Sequence, residues 1–281
     1  MARMKLLYAP MMMVLLIINP GLTSTSPPAK KSGKDLNGKM FTLTPVKGGV
    51  SFYDPSFPPA PTSWPVPTPF RTSRYNTSRP TISSPTPTTG GVSVCLRFLL
   101  EKNSQPTLFT LSPSTSPLTL RVYSPGRYAL IFSSRSGNLY LQPDIGLWAN
   151  IHPEIWNRVC VTVDTMNNVV QMFNNNYMSV RKMLSAQYVW SGEAVIDVPG
   201  FQGQVTSVQV WDYPLLYKEV FHYMNSGRSS PGNVLAWSSI CYSLRGNTLL
   251  ENVYEQLMLQ RKSATPRRNA GKKSLSQVGK G

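Results

Sequence analysis

The sequence predicts an all-β protein, a two-sheet antiparallel sandwich with one short helix. Apolar and polar residues alternate with a period of two in several stretches of residues 91–210, a pattern typical of strands with one buried face. β-Branched residues are frequent at the apolar positions, and Gly, Pro and Asn separate the stretches. Many such strands beside a single helical segment, residues 215–224, favour two packed sheets over other architectures.

The predicted strands recur along the chain in the same form. The alternating apolar positions, which we expect to face the core, are Val92, Val94, Leu96, Phe98, Leu118, Leu120, Val122, Leu139, Leu141, Val159, Val161, Val163, Val205, Val208 and Val210. Residues 128–132 and 169–173 form further, more continuous apolar runs. Five tryptophans could stack against sugars, but we expect them to fill or border the core: Trp148, Trp156, Trp190, Trp211 and Trp237.

The predicted helix covers residues 215–224, because apolar residues recur there every four positions. They are Leu216, Val220 and Met224. Asp212 is the expected N-cap, and Pro214 fits just inside the start. The Asn-Ser-Gly sequence at residues 225–227 is a common way for a helix to end. We expect this helix to cover an apolar sheet face.

The N-terminus has the pattern of a secretory signal peptide, which we assign to residues 1–24. Arg3 and Lys5 give a positive start, an unbroken apolar run covers residues 11–18, and small residues follow. The apolar run is shorter than the roughly 20 residues that a membrane span needs. We therefore expect a secreted, extracellular protein with no transmembrane segment.

The rest of the chain divides by composition into four parts. Residues 35–54 form a first-strand region, residues 91–258 the main domain and residues 259–281 a basic tail. Between the first two parts, residues 55–90 are rich in Pro, Ser and Thr, and proline cannot donate to a strand ladder. This insertion either loops out of the domain or precedes a domain that starts near Gly90. It contains the glycosylation sequon at Asn76.

The net charge of +16 lies in the flanks of the chain. Residues 1–89 carry 10 basic and 2 acidic side chains, and residues 259–281 carry 7 basic and none acidic. Residues 90–258 are nearly balanced, with 11 basic and 10 acidic side chains. The tail lacks apolar periodicity, so we expect it to be disordered and solvated. Binding of polyanions through the tail is the alternative.

Three cysteines in a secreted chain indicate one disulfide and one remaining thiol. Cys95 and Cys160 each lie in an alternating stretch, whereas Cys241 lies between Ile240 and Tyr242. If the neighbours of Cys241 face the core, its thiol faces outward and could link two chains. The alternative is a buried, unpaired cysteine that packs as a small apolar residue.

Residues 201–250 resemble the C-terminal part of the pentraxins. A strand that ends in Trp-Asp (residues 211–212), a short helix and an Asn-Val-Leu-Ala-Trp strand (residues 233–237) follow one another, as in that family. The opening Asp-x-x-x-Lys-x-Phe of residues 35–41 is also similar. The resemblance covers roughly residues 35–54 and 90–256.

The resemblance implies a jelly-roll sandwich of the concanavalin and laminin-G type. It also implies a disulfide between Cys95 and Cys160 and a cyclic homo-oligomer, which is a pentamer in the family. The motif around the second cysteine departs from the family. Where pentraxins have His-x-Cys-x-Ser/Thr-Trp, this chain has Arg158, Cys160, Thr162 and Val163. The chain is thus a divergent relative of the serum pentraxins.

Calcium is the cofactor that the resemblance implies, because pentraxins bind two calcium ions through acidic and amide side chains. The matching acidic loop here is short, and Glu193, Asp197 and Gln202 are its weak candidate ligands. The matching earlier loop, residues 112–118, contains no carboxylate. Since calcium takes six to eight oxygen ligands, we expect calcium binding to be lost. The alternative is a rearranged site.

No pattern in the sequence indicates catalysis, so we expect a protein that is not an enzyme. His152 and His222 lie far apart, and Asp144 with Glu154 is the one acidic pair that resembles glycosidase chemistry. The resemblance implies a lectin-like recognition protein of innate immunity that binds cell-surface or matrix ligands such as glycans or phospholipid head groups. The alternatives are a calcium-dependent lectin and a structural secreted protein with a polyanion-binding tail.

Overall fold

The computed structural model describes residues 32–56, 90–132, 137–149, 155–226 and 230–254. Within them the chain forms two antiparallel sheets and one helix, which confirms the predicted sandwich. The larger sheet has nine strands, and the smaller sheet has seven. In the described residues no helix is both long and apolar enough to cross a membrane.

The larger sheet begins at the edge strand β16 and ends at β8. Its strands are, in spatial order, β16 (Leu249–Asn252), β1 (Lys39–Leu43), β14 (Gly203–Trp211), β3 (Gly91–Leu100), β9 (Asn157–Asp164), β10 (Val169–Asn174), β11 (Tyr177–Met178) and β8 (Ile145–Gly146), with β12 (Lys182–Met183) also on β10. Neighbouring strands that are distant in sequence, such as β14 and β3, bring the two halves of the chain together.

The smaller sheet packs its apolar face against the larger one. Its strands are, in spatial order, β15 (Cys241–Arg245), β2 (Gly49–Tyr53), β13 (Val195–Pro199), β4 (Thr107–Leu111), β5 (Leu118–Ser124), β6 (Arg127–Ile131) and β7 (Leu139–Leu141). The first-strand region of residues 35–54 thus supplies one strand to each sheet, β1 and β2. The sandwich therefore begins before the Pro-rich insertion, and not at Gly90.

The core lies between the sheets and contains the alternating residues that the sequence singled out. All fifteen predicted inward positions except Leu139 are buried, and Leu139 is partly buried against the same cluster. Trp237 anchors the core at one end, where its ring meets Phe41 and Phe52 edge to face at 5.9 and 5.3 Å between centroids. The five predicted core tryptophans are all buried, with exposures of 7% or less.

One predicted strand breaks its alternation for a physical reason. Val205 and Val208 are three residues apart, yet both are fully buried. A bulge between Thr206 and Gln209 shifts the register of β14 against β3. Ser207 adopts a positive φ of 55° within it. An extra residue in one strand lets two apolar side chains on either side of it face the same core.

The helix α1 spans Tyr217–Ser226, two residues later than predicted. The predicted N-cap was wrong, because the carboxylate of Asp212 accepts a hydrogen bond from Asn233 Nδ2 and does not reach the helix. Instead, the carboxylate of Glu219 accepts the backbone N–H of Leu216 at 2.7 Å. This is one half of a capping box, in which an acidic residue in the first turn satisfies an unpaired N–H group.

Several predicted features lie outside the described residues. They are the signal peptide of residues 1–24, nearly all of the insertion of residues 55–90 with its sequon at Asn76, the basic tail of residues 259–281, and the residues His152 and Glu154. For these segments the expectations from the sequence stand as predictions.

Candidate ligand-binding surfaces

The disulfide is the predicted functional feature that the structure confirms. Cys95 and Cys160 are direct partners on β3 and β9, and their sulfur atoms are bonded. The bridge lies on the outer face of the larger sheet and not between the two sheets. Val94 and Val161, its neighbours along the two strands, face the inter-sheet core instead. Side chains alternate across a strand, so the cysteines must point the other way.

The helix α1 covers the disulfide and forms a second apolar cluster with it. We call it the helix cluster: Cys95, Trp148, Cys160, Phe173, Trp211, Leu215, Val220, Tyr223 and Met224. Burial raises the pKa of Tyr223, although the positive charges of Arg97 and Arg158 oppose this effect. The buried Arg158 guanidinium donates a hydrogen bond to the carbonyl of Met224 near the end of the helix. A cation at a helix C-terminus interacts favourably with the negative end of the helix dipole.

Two loops meet at one end of the smaller sheet, and one of them, residues 112–118, is a loop that the family resemblance linked to calcium. The loop of residues 112–118 joins β4 to β5, and residues 188–194 precede β13. Ser112 is fully buried between them: its hydroxyl donates to the carbonyl of Glu193 and accepts the indole N–H of Trp190 at 3.0 Å. We call this pair of loops the hydroxyl loops.

A second set of contacts holds the solvent side of the hydroxyl loops. Thr115 Oγ1 lies 2.8 Å from the carboxylate of Glu193 and 2.6 Å from the hydroxyl of Ser191. The Tyr188 hydroxyl donates to the carbonyl of Ser116, and burial of Tyr188 raises the pKa of its phenol. Both loops are therefore tied together by uncharged hydroxyl groups around one carboxylate.

The structure separates the three weak calcium candidates. Glu193 belongs to the hydroxyl loops, whereas Gln202 follows the far end of β13. Five strand residues lie between them, which is about 16 Å at 3.3 Å per residue. Asp197 lies in the middle of β13 and is engaged elsewhere. In the described part of the chain, no three His, Cys, Asp or Glu side chains form a group that could hold a metal ion.

Asp197 has a structural partner on the outer face of the smaller sheet. Its carboxylate accepts hydrogen bonds from Arg245 at 2.6 Å and from the Ser51 hydroxyl at 2.7 Å. The three residues come from the adjacent strands β13, β15 and β2. The positive charge of the Arg245 guanidinium offsets the negative charge of the Asp197 carboxylate, which makes that carboxylate a poor ligand for calcium. Asp197 is thus a bridging residue between strands.

Cys241 lies at the start of the edge strand β15, opposite Tyr53 of β2. It is not part of a disulfide. Its side chain is half-buried, so its exposure is intermediate between the outward-facing thiol and the buried cysteine that the sequence left open. Its neighbour Ile240 is fully buried, as expected, but Leu244 is 44% exposed. The inward pattern therefore fades toward the end of this strand.

A cluster on the outer face of the smaller sheet was not predicted. The guanidinium of Arg127 stacks on the rings of Tyr123 and Tyr140, at 5.3 and 4.4 Å from their centroids. We call these three residues the tyrosine–arginine cluster. Its signal in the sequence is the outward position of Tyr123 between Val122 and Ser124. The pairing of β6 with β7, which brings in Tyr140, depends on the fold.

Of the residues considered for catalysis, Asp144 and His222 are described. Asp144 follows β7, and its carboxylate lies 3.4 Å from the amide of Gln142. His222 lies on the exposed side of α1, with its ring 6.0 Å from that of Phe221. Asp144 thus follows the edge strand of the smaller sheet, whereas His222 lies on the helix that covers the larger sheet.

Taken together, the architecture is that of a jelly-roll sandwich that carries a helix on one sheet and the hydroxyl loops at one end of the other. No family model matches the chain. It is 24% identical over 176 residues to Jeltraxin of Lepidobatrachus laevis, which covers 55% of this chain and 73% of the relative. It is also 24% identical over 175 residues to C-reactive protein of Xenopus laevis, covering 55% and 69% of the two chains.

A solved structure agrees with these relatives. The native heptameric SAP-like pentraxin from Limulus polyphemus superposes with a TM-score of 0.51 at 14% identity, over 78% of this chain and 97% of that one. A likeness at this level of identity supports the fold. With the sequence relatives, it makes this chain a divergent pentraxin-like protein.

Proposed function

We propose that this protein is a secreted, non-enzymatic recognition protein that binds cell-surface or matrix ligands without calcium. The observation that carries the proposal is the composition of the hydroxyl loops. Glu193 is their one carboxylate, and it already accepts a hydrogen bond from Thr115. Calcium takes six to eight oxygens, usually with several carboxylates among them. Such a loop pair favours direct contacts to a ligand over contacts bridged by a metal ion.

The chemistry of the hydroxyl loops suits polar, uncharged partners. Thr115 and Ser191 present hydroxyl groups that donate and accept hydrogen bonds, and Val189 adds an exposed apolar side chain. The buried hydrogen bonds of Ser112 and Trp190 hold the loop backbones in place. Ordered hydroxyl groups on a rigid base support recognition, because little entropy is lost when a ligand binds.

Secretion and assembly belong to the same proposal. A buried disulfide is typical of proteins that fold in an oxidising compartment, and the sequence begins with a signal-like segment. The structural neighbour from Limulus is described as heptameric. We propose a cyclic homo-oligomer for this chain, and five subunits is the number that the family resemblance implies. Light scattering of the purified protein measures the number.

Thermal unfolding with excess calcium and with a chelator tests the calcium part of the proposal. A ligand at a hundred times its Kd adds about 2.7 kcal/mol to stability. For a domain of this size, that raises Tm by several degrees, at about 2–4 °C per kcal/mol. We expect the same Tm under both conditions, and the same ligand binding by the protein in chelator.

A Glu193→Gln variant provides the matched control. A rise in Tm with calcium that this variant loses would overturn the proposal and establish a rearranged calcium site in the hydroxyl loops. A rise that the variant keeps would place a calcium site elsewhere in the chain. In either case the calcium-dependent lectin would replace the function proposed here.

A further inference from the structure

The tyrosine–arginine cluster is the most distinctive group of side chains on the outer face of the smaller sheet. Tyr123 and Arg127 flank the tight turn that joins β5 to β6, and Tyr140 comes from β7. The two tyrosine rings meet edge to face at 4.8 Å between centroids. Arg127 is exposed and Tyr123 is 44% exposed, so the stacked guanidinium and one ring remain accessible to solvent.

Strand register gives the cluster a solid base. Ala129 on β6 lies between Arg121 on β5 and Tyr140 on β7. Ala129 is only 1% exposed although it lies outside the inter-sheet core, whose nearest members on this strand are Tyr128 and Leu130. The small side chain is therefore covered from the outer face by its larger neighbours. A packed base of this kind holds the side chains above it in fixed positions.

Two further cations border the cluster. Lys182 donates a hydrogen bond from Nζ to the backbone carbonyl of Tyr140 at 2.7 Å. Arg121 is exposed, and within the described residues its Nε donates to the carbonyl of Gln105 at 3.2 Å. The structure thus gathers three positive charges, those of Arg121, Arg127 and Lys182, around two tyrosines.

None of these three cations forms an ion pair with a carboxylate of the described residues. Their recorded partners are two backbone carbonyls and the two tyrosine rings. The contrast with Arg245 on the same sheet face is direct, because its guanidinium lies 2.6 Å from the carboxylate of Asp197. Around the cluster, the described residues therefore bring positive charges together without an ion-paired carboxylate, although residues 90–258 as a whole are nearly neutral.

We propose that the tyrosine–arginine cluster binds an anionic sugar, a saccharide that bears a sulfate or carboxylate group. This inference goes beyond the proposed function, because it assigns a second kind of ligand to a surface at the opposite end of β5 from the hydroxyl loops. The guanidinium of Arg127 has donors in a planar fork that matches the oxygens of a sulfate or carboxylate. Stacking on the two rings fixes the plane of that fork before the ligand arrives.

The other groups suit the rest of such a ligand. The exposed part of the Tyr123 side chain offers limited apolar contact to the C–H groups of a sugar, and the two tyrosine hydroxyls can bond with its hydroxyl groups. Lys182 and Arg121 add attraction for the anionic group from two sides. The patch is small and has few charges, so it fits one or two anionic groups on a short saccharide.

The same geometry disfavours nucleic acid as the ligand. Single-stranded nucleic acid binds to aromatic side chains that offer open faces for successive bases along a charged groove. Here the two rings are edge to face, and Arg127 already occupies ring surface of both. Three cations at one place also match a short ligand better than a long phosphate backbone.

The test measures binding of the full chain to heparin-derived octasaccharide, to 3'-sialyllactose and to neutral lactose, all in chelator. Calorimetry with wild type, Arg127→Ala, Arg127→Lys and Tyr123→Ala reports the affinities. We expect wild type to bind at least one anionic sugar and not lactose. Arg127→Ala should weaken binding about tenfold or more, the loss typical of one hydrogen bond to a charged group. Arg127→Lys should rescue it only in part, because lysine lacks the planar fork.

Lys218→Ala is the matched control, since it removes an exposed positive charge from α1 on the other sheet. It should leave binding unchanged. Equal affinities of wild type and Arg127→Ala in chelator would overturn the cluster as the site, as would equally tight binding of single-stranded DNA to wild type. Binding that needs calcium would instead overturn the proposed function, so the two failures are distinguishable.

Discussion

The outer faces of the two sheets differ although both sheets have the same apolar inner face. On the larger sheet the outward positions of the central strands β3, β9 and β10 include Cys95, Cys160 and Phe173, and a helix covers them. On the smaller sheet the outward positions include Ser51, Thr110, Thr119 and Arg121, and the described residues place no helix over them. One outer face is built as a second core and the other as a polar surface.

This difference follows from the side chains. Apolar groups that point away from the main core must be removed from water, and a short helix with an apolar stripe does this for the larger sheet. Hydroxyl and charged groups hydrogen-bond to water without a cover. The helix cluster therefore contributes to stability, and we propose that the open face is the one that binds a ligand. The three variants that follow test that division, from the largest expected effect to the smallest.

Removal of the disulfide should have the largest effect. The double variant Cys95→Ala/Cys160→Ala opens a cross-link between residues 65 apart in sequence. In the chain-entropy model a loop of this length stabilises by about 4 kcal/mol. Guanidinium unfolding should therefore show a free energy of unfolding lower by about that amount.

Cys241→Ala provides the control for the disulfide variant, because Cys241 forms no disulfide in the structure. We expect it to unfold like wild type. If the double variant also unfolded like wild type, the helix cluster would not depend on its cross-link. The claim that the covered face of the larger sheet contributes strongly to the stability of the protein would then lose its main support.

Truncation of a helix residue should have the next largest effect. Met224 is fully buried in the helix cluster, and Met224→Ala should lower the free energy of unfolding by about 2–4 kcal/mol. Lys218 lies on the exposed side of the same helix, and Lys218→Ala should change the free energy of unfolding by less than about 0.5 kcal/mol. Equal effects of the two changes, measured by urea unfolding, would mean that the helix does not seal the sheet.

Sequence patterns predicted the sandwich because period-two alternation specifies which face of a strand is buried. They predicted the helix and its position to within two residues, but not its cap. Asp212 has the right residue type for an N-cap, yet its carboxylate bonds with Asn233, which lies 21 residues later. A contact between residues so distant in sequence leaves no local signal.

The candidate sites show the same limit. The count of carboxylates in residues 112–118 and 193–202 could be read from the sequence, and it led to the expected loss of calcium binding, which stays a prediction. The ion pair of Asp197 with Arg245 depends on the order β15-β2-β13 and could not be predicted. The tyrosine–arginine cluster likewise needs the register of β5, β6 and β7. Sites made from neighbouring strands appear only once the pairing is known.

The smallest effect on stability is expected from Arg127→Ala, although that variant should lose ligand binding. Arg127 lies on the open face, and its contacts in the described chain are the stacked rings of Tyr123 and Tyr140. An exposed cation–π contact contributes about 0.5–1 kcal/mol. The charge repulsion from Arg121 and Lys182, which the substitution relieves, offsets part of that contribution.

The net change in the free energy of unfolding should therefore be below about 0.5 kcal/mol. Arg158→Ala gives the contrast on the covered face, because that buried side chain bonds with the carbonyl of Met224. Its loss should destabilise by about 2 kcal/mol, as expected for a buried hydrogen bond from a charged group. If Arg127→Ala destabilised the protein as much as Arg158→Ala, the cluster would be a structural clamp. An arginine that contributes little to folding, has fixed geometry and forms no ion pair with a carboxylate of the described residues is better explained by a ligand.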